Sequence, residues 1–89
     1  MMYPYITFWD ETEVCHSQII EKDEKQSVEV HFEKPIENGF ASARCVLPEY
    51  KWLFNDGFTK NEISFFDEFL HHNAHLIFKY AGTGGIHCA

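Results

Sequence analysis

The stretch from Thr59 to Gly82 constrains this chain more than any other. Thr59-Lys60-Asn61-Glu62 has the form of a capping box: the threonine hydroxyl accepts from the third helical amide, and the glutamate reaches back to the amide of Thr59. Phe58 before the cap and Ile63 after it complete a hydrophobic staple. The pattern predicts a helix to about Ala81, stopped by Gly82 as its terminal glycine. At about 100° per residue, Ile63, Phe66, Leu70, Ala74, Ile77 and Ala81 form one apolar stripe. Phe65, Phe69, Leu76 and Tyr80 form a second stripe beside it. Together they span about half the circumference, whereas covering one sheet takes roughly 100°. The second stripe therefore needs a cover of its own. The Trp52-Leu53-Phe54 segment can fold back over it, or another subunit can. We expect the second: a homodimer with the helix at its interface, in which Asn73, at the seam of the stripes, pairs with its symmetry mate and sets register.

The residues before the helix read as strands and turns. Tyr5-Ile6-Thr7-Phe8-Trp9 is aromatic and β-branched, as strands are. Asp10-Glu11-Thr12 is a polar turn, and a second strand spans Glu13 to Ile20 with imperfect alternation. Residues 21–26 are a charged turn. From Ser27 to Glu33 the alternation is strict, with Val28, Val30 and Phe32 on one face and Glu29, His31 and Glu33 on the other. Pro35 is expected to end this strand, and Glu37-Asn38-Gly39 to turn the chain. Phe40 to Leu47 is the fourth strand, with Ala41, Ala43, Cys45 and Leu47 on one face, and Pro48 closes it. Glu49 to Phe58 reads as an aromatic connection with a turn at Asn55-Asp56-Gly57. The expected architecture is α+β: a four-stranded antiparallel β-meander followed by one long C-terminal helix packed on the sheet (ββββα). The tail Ile86-His87-Cys88-Ala89 can add a brief edge strand.

Composition narrows the class. At 89 residues the chain is sized for a single small domain over residues 1–89. Aromatics make up 17% of it, enough to build a core from few residues and to exclude disorder. Seven Lys+Arg, scattered, against 14 Asp+Glu argue against nucleic acid as a partner. No apolar run is long enough for a membrane helix, and Met1-Met2-Tyr3-Pro4-Tyr5 lacks the basic and apolar regions of a signal peptide. Three widely spaced cysteines, Cys15, Cys45 and Cys88, are no disulfide framework. The expected setting is the reducing cytoplasm, with the thiols free.

Two constellations bear chemistry. On the helix, His71 and His75 stand four residues apart, the spacing by which a helix chelates a divalent transition metal. Glu68 could serve as a third ligand, with His72 on the flank. A stable site needs three or four ligands, so a solvated face with carboxylate–histidine pairs is the stronger reading and no cofactor is expected. On the third strand, Glu29, His31 and Glu33 share a face with Arg44 of the neighbouring strand. Such an acidic strip can dock a basic partner, and a histidine between two carboxylates makes it a candidate for a response to mild acid.

No hydrolytic motif is present. His71-His72-Asn73-Ala74-His75 lacks the glutamate after the first histidine that a zinc protease needs, and there is no GxSxG or Walker loop. Gly82-Thr83-Gly84-Gly85 follows a helix, whereas a phosphate cradle precedes one. Cys15 and His16 are adjacent and point to opposite faces of a strand, and Cys45 groups with the apolar face while His31 groups with the polar one, so neither makes a reactive pair.

The expected function is therefore a non-catalytic acidic interaction module that binds a partner protein and self-associates. Glu29, His31, Glu33 and Arg44 on the sheet and Phe65, Phe69, Leu76 and Tyr80 on the helix would form its contact surfaces. In size and charge alone it resembles bacterial or phage accessory proteins such as antitoxins and inhibitors. The alternatives are a small metal-binding protein using Glu68, His71, His72 and His75, and a small enzyme with a site assembled from scattered His, Cys and carboxylates.

Overall fold

In the computed structural model, residues 2–83 are described. They form an α+β structure of one antiparallel six-stranded sheet and one C-terminal helix. The strands are β1 (Met2–Thr7), β2 (Glu13–Ser17), β3 (Ile20–Lys22), β4 (Lys25–Ile36), β5 (Gly39–Leu47) and β6 (Lys51–Asp56); the helix α1 spans Lys60–Gly82. The sheet order is β1-β2-β4-β5-β6, with β3 pairing the start of β4. The class is the expected one, while the strand count is six rather than four.

Two differences account for the count. The expected second strand breaks after Ser17 and resumes as the three-residue β3, so β2 and β3 both lie along the long β4. The expected connection over residues 49–58 contains β6, paired with β5. Three consecutive apolar residues, Trp52-Leu53-Phe54, hide the strand's period of two. The cause is a bulge: Cys45 pairs with Trp52 and Arg44 with Phe54, leaving Leu53 as the extra residue. Pro35 also does not end β4, because it pairs with Phe40 at the hairpin end. β1 begins earlier than expected, and Phe8 and Trp9 belong to the turn after it.

The helix starts as its sequence dictates. The Thr59 hydroxyl accepts from the Glu62 amide at 3.1 Å, and the Thr59 amide donates to the Glu62 carboxylate at 2.9 Å. Its end differs: Gly82 is still helical, and the cap is Thr83 at φ −107°, whose amide donates to the Tyr80 carbonyl. A side chain at Gly82 would meet Ile19, between β2 and β3, at 3.5 Å, an ordinary van der Waals contact. The glycine that a turn does require is Gly57, at φ +106°, where a Cβ would stand 3.0 Å from Ala41.

The helix covers one face of the sheet. Val14, Val28, Val30, Phe32, Ala41, Ala43, Cys45 and Leu47 from the strands meet Phe66, Leu70, Ile77 and Ala81 in a buried core. The small side chains on β5 leave room for Phe66, which stacks on Phe32 at 4.4 Å and 9° and meets Phe58 edge-on.

Within the chain, the second helical stripe is not covered by Trp52-Leu53-Phe54. β1 and its following turn lie over it. A bulge lies between Pro4 and Ile6; Tyr5 follows Pro4, which pairs with Cys15 of the open face, and so faces the helix. Its ring packs against Phe69 and Tyr80, and its hydroxyl donates to Asn73 Oδ1 at 2.8 Å. Phe8 packs on Phe65, Phe66 and Phe69. Asn73 thus serves within its own chain, its amide also donating to the Phe69 carbonyl. Trp52 packs instead beside the first stripe, over Phe32, and donates to Asp67 at 3.3 Å. Phe78, outside both expected stripes, also packs against the core.

Candidate functional site

The sheet face away from the helix is open, and it gathers the strip expected on β4. Strand pairing sets His31 between Cys15 of β2 and Arg44 of β5, and Glu33 between Glu13 and Ser42. Arg44 occupies the centre. Its Nη1 donates to Glu29 at 3.1 Å, and its Nε and Nη2 lie 3.4 and 3.3 Å from His31 Nδ1. His31 Nδ1 is therefore an acceptor, and Nε2 faces Glu33 at 3.7 Å. Glu29 is held by Arg44 and not by His31, so the expected carboxylate–histidine–carboxylate arrangement is not formed.

Glu13 and Glu33 stand directly opposite each other on neighbouring strands. Like charges in this position destabilise a sheet. Their field reaches the neighbouring thiol: Cys15 is pushed up by burial first and then by the Glu13 and Glu33 charges. A shallow hollow of about 340 Å3 adjoins them, lined by Thr7, Glu11, Glu13, Glu33, Pro35 and Phe40. It combines three carboxylates with an exposed aromatic ring and a proline. Sequence reading missed Glu11, Glu13 and Phe40 as members, because they come from the β1–β2 turn and from strands whose register the sequence does not print.

The remaining expected contact residues do not join this face. Phe69, Leu76 and Tyr80 are half-buried on the helix, on the other side of the sheet. Phe65 is exposed beside Trp9, the most exposed large apolar side chain at 82%. Near them Lys34 bridges Asp10 at 3.5 Å and Glu62 at 3.4 Å, tying the β1–β2 turn and β4 to the helix start. Burial works against the Asp10 charge, yet hydrogen bonds from Thr12 and the Lys34 ammonium hold its carboxyl below the usual range. Glu62 is held down by the Thr59 amide above all, then by Lys34.

The helical histidines take another arrangement. His71 donates from Nδ1 to the Asp67 carbonyl at 2.8 Å, and its ring stacks on Tyr50 at 3.8 Å and 8°. Tyr50 holds a left-handed φ of 57°, strained for a bulky residue. Glu68, His72 and His75 are exposed. Among the described residues no three His, Cys, Asp or Glu side chains come together as metal ligands. His87 and Cys88 lie outside the described residues, as does the expected strand at 86–89.

The two described cysteines are free and differ in setting. Cys45 is buried under the helix and pushed up to about 12, by burial and then by the Asp67 charge. Cys15, not Cys45, faces His31, but the raised thiol stays protonated and is no activated nucleophile. His16 is fully buried; its Nδ1 donates to the Ser17 carbonyl and its Nε2 has no partner among the described residues. No described helix is long and apolar enough to cross a membrane. Comparison of the chain with protein-family models, curated proteins and solved structures yields no match.

Proposed function

We propose that this chain is a non-catalytic interaction module whose open sheet face docks a basic surface of a partner protein, and that it also self-associates. The observation that carries the reading is the opposed Glu13–Glu33 pair at the rim of the Glu11/Phe40 hollow, where His31 Nε2 stands 3.7 Å from Glu33. A lysine or arginine from a partner would relieve the like-charge repulsion, and its aliphatic stem would lie along Phe40 and Pro35. The formal charge of −7 adds long-range attraction for such a partner. An acidic module of this kind suits an inhibitor or antitoxin that occupies a basic site on its target. The free thiols support a reducing, cytoplasmic setting.

The test uses short peptides of defined sequence, one bearing a central arginine pair and one a central glutamate pair, titrated into the labelled protein by NMR. The arginine peptide is expected to shift the amides of Glu13, Glu33 and Phe40, and to lose most of its affinity for the Glu13→Gln/Glu33→Gln double variant. Shifts spread evenly over the acidic surface and unchanged in that variant would remove the support for the reading.

A further inference from the structure

We propose that the self-association runs through β6, which pairs antiparallel with β6 of a second copy about a two-fold axis and joins the two sheets. This inference rests on the reading that the chain self-associates and specifies where. The two edges of the sheet are unequal. β1 carries Pro4, which lacks a donor, so that edge is poorly suited to further pairing. β6 has an amide at every position, and five of its six residues are exposed. No other described strand pairs its outer side.

The bulge gives β6 a self-complementary face. Lys51 pairs with Val46, Phe54 with Arg44 and Asp56 with Ser42, all on the open face of the sheet. Trp52 and Asn55 pair with the buried Cys45 and Ala43 on the helix face. In a regular strand, residues five apart lie on opposite faces. The extra residue Leu53 brings Lys51 and Asp56 to the same one. One antiparallel register then sets Lys51 against Asp56 of the second copy, Trp52 against Asn55 and Leu53 against Phe54. Each pairing occurs twice, as a two-fold requires, and the Lys51–Asp56 and Trp52–Asn55 pairings match residues of the same face. Leu53 and Phe54 are 47% and 44% exposed, so their contact removes apolar surface from water. Among the described residues neither Lys51 nor Asp56 has an ion-pair partner in its own chain, so the second copy completes both.

Sedimentation equilibrium over a micromolar concentration series tests this, with three variants checked for native thermal melts. Lys51→Asp and Asp56→Lys each turn two attractive pairs into two repulsive ones, and each is expected to weaken the dimer about tenfold. The double variant Lys51→Asp/Asp56→Lys restores opposite charges and is expected to return the affinity to within about threefold of the native chain. In parallel, hydrogen exchange of the native protein should show the outward-pointing amides of β6 gaining protection as concentration rises. A dimer unaffected by either single reversal, with β6 amides indifferent to concentration, overturns the β6 interface while self-association stands. A native chain that stays monomeric at about 100 μM overturns both.

Discussion

The strands β4 and β5 present two faces built on opposite principles. On the helix side, Val28, Val30, Phe32, Ala43, Cys45 and Leu47 are fully buried, and the aromatic stack of Phe32 on Phe66 fills the space left by small residues of β5. One residue along, on the open side, Glu29, His31, Glu33 and Arg44 make polar contacts around a half-exposed arginine. The inner face gains by excluding water, which rewards shape and volume. The outer face keeps charges whose mutual arrangement, including the opposed Glu13 and Glu33, is a poor solution for stability alone. The same backbone therefore separates folding from recognition by alternation, and substitutions on its two sides should behave differently.

The largest expected effect is on the inner face. Phe66→Ala removes the stack on Phe32 and the edge contact with Phe58, and should destabilise the fold by roughly 3–5 kcal/mol in urea unfolding. A loss below about 1 kcal/mol would mean that the helix is not packed on Phe32. The two described thiols sharpen the same contrast. At pH 8 a thiol reagent should modify Cys15 of the open face slowly, and Cys45 of the inner face only on unfolding. Equal rates in the native state would place both on one kind of surface.

A smaller effect concerns the ties between the layers. Asp10 and Glu62 have folded-state values below their ordinary ones, so the stability they contribute is present above the usual carboxylate range, about pH 4, and is lost as pH falls through their lowered values. Lys34→Met should lower stability at neutral pH and flatten part of this acid limb in thermal melts from pH 6 to 2. An unchanged acid limb would show that Lys34 does not couple the turn to the helix start. The smallest effect belongs to the open face: Glu13→Gln should leave stability unchanged or raise it by a few tenths of a kcal/mol, by removing one of two opposed charges. A clear destabilisation would show that Glu13 has a structural role.

Much of the scaffold is legible in the residues. The capping box, the apolar stripe facing the sheet and the strict alternation of residues 27–33 all rest on local chemistry and short periods, which a sequence displays directly. The acidic strip on β4 is legible for the same reason. β6 is not, because its bulge spoils the alternation at Trp52-Leu53-Phe54, and nothing local distinguishes a bulged strand from an aromatic loop. The cover of the second helical stripe escapes for a different reason. Tyr5 and Phe8 lie about sixty residues from Phe69 in the chain, and the contacts they make are with Asn73 and Phe69, not with their neighbours in sequence.

The sequence by itself determined the α+β class, the start of the helix and the identity of the buried face of β4 and β5, since each follows from side chains within a few turns or residues of one another. Tertiary structure alone decided the rest: that Glu13 meets Glu33, that Cys15 faces His31, that Asn73 bonds Tyr5 within the same chain, and that β6 lies at an edge with Lys51 and Asp56 on one face. Register is the physical reason. A shift of one residue in a strand exchanges every side chain between faces, and the pairings that fix it arise only when distant segments come together.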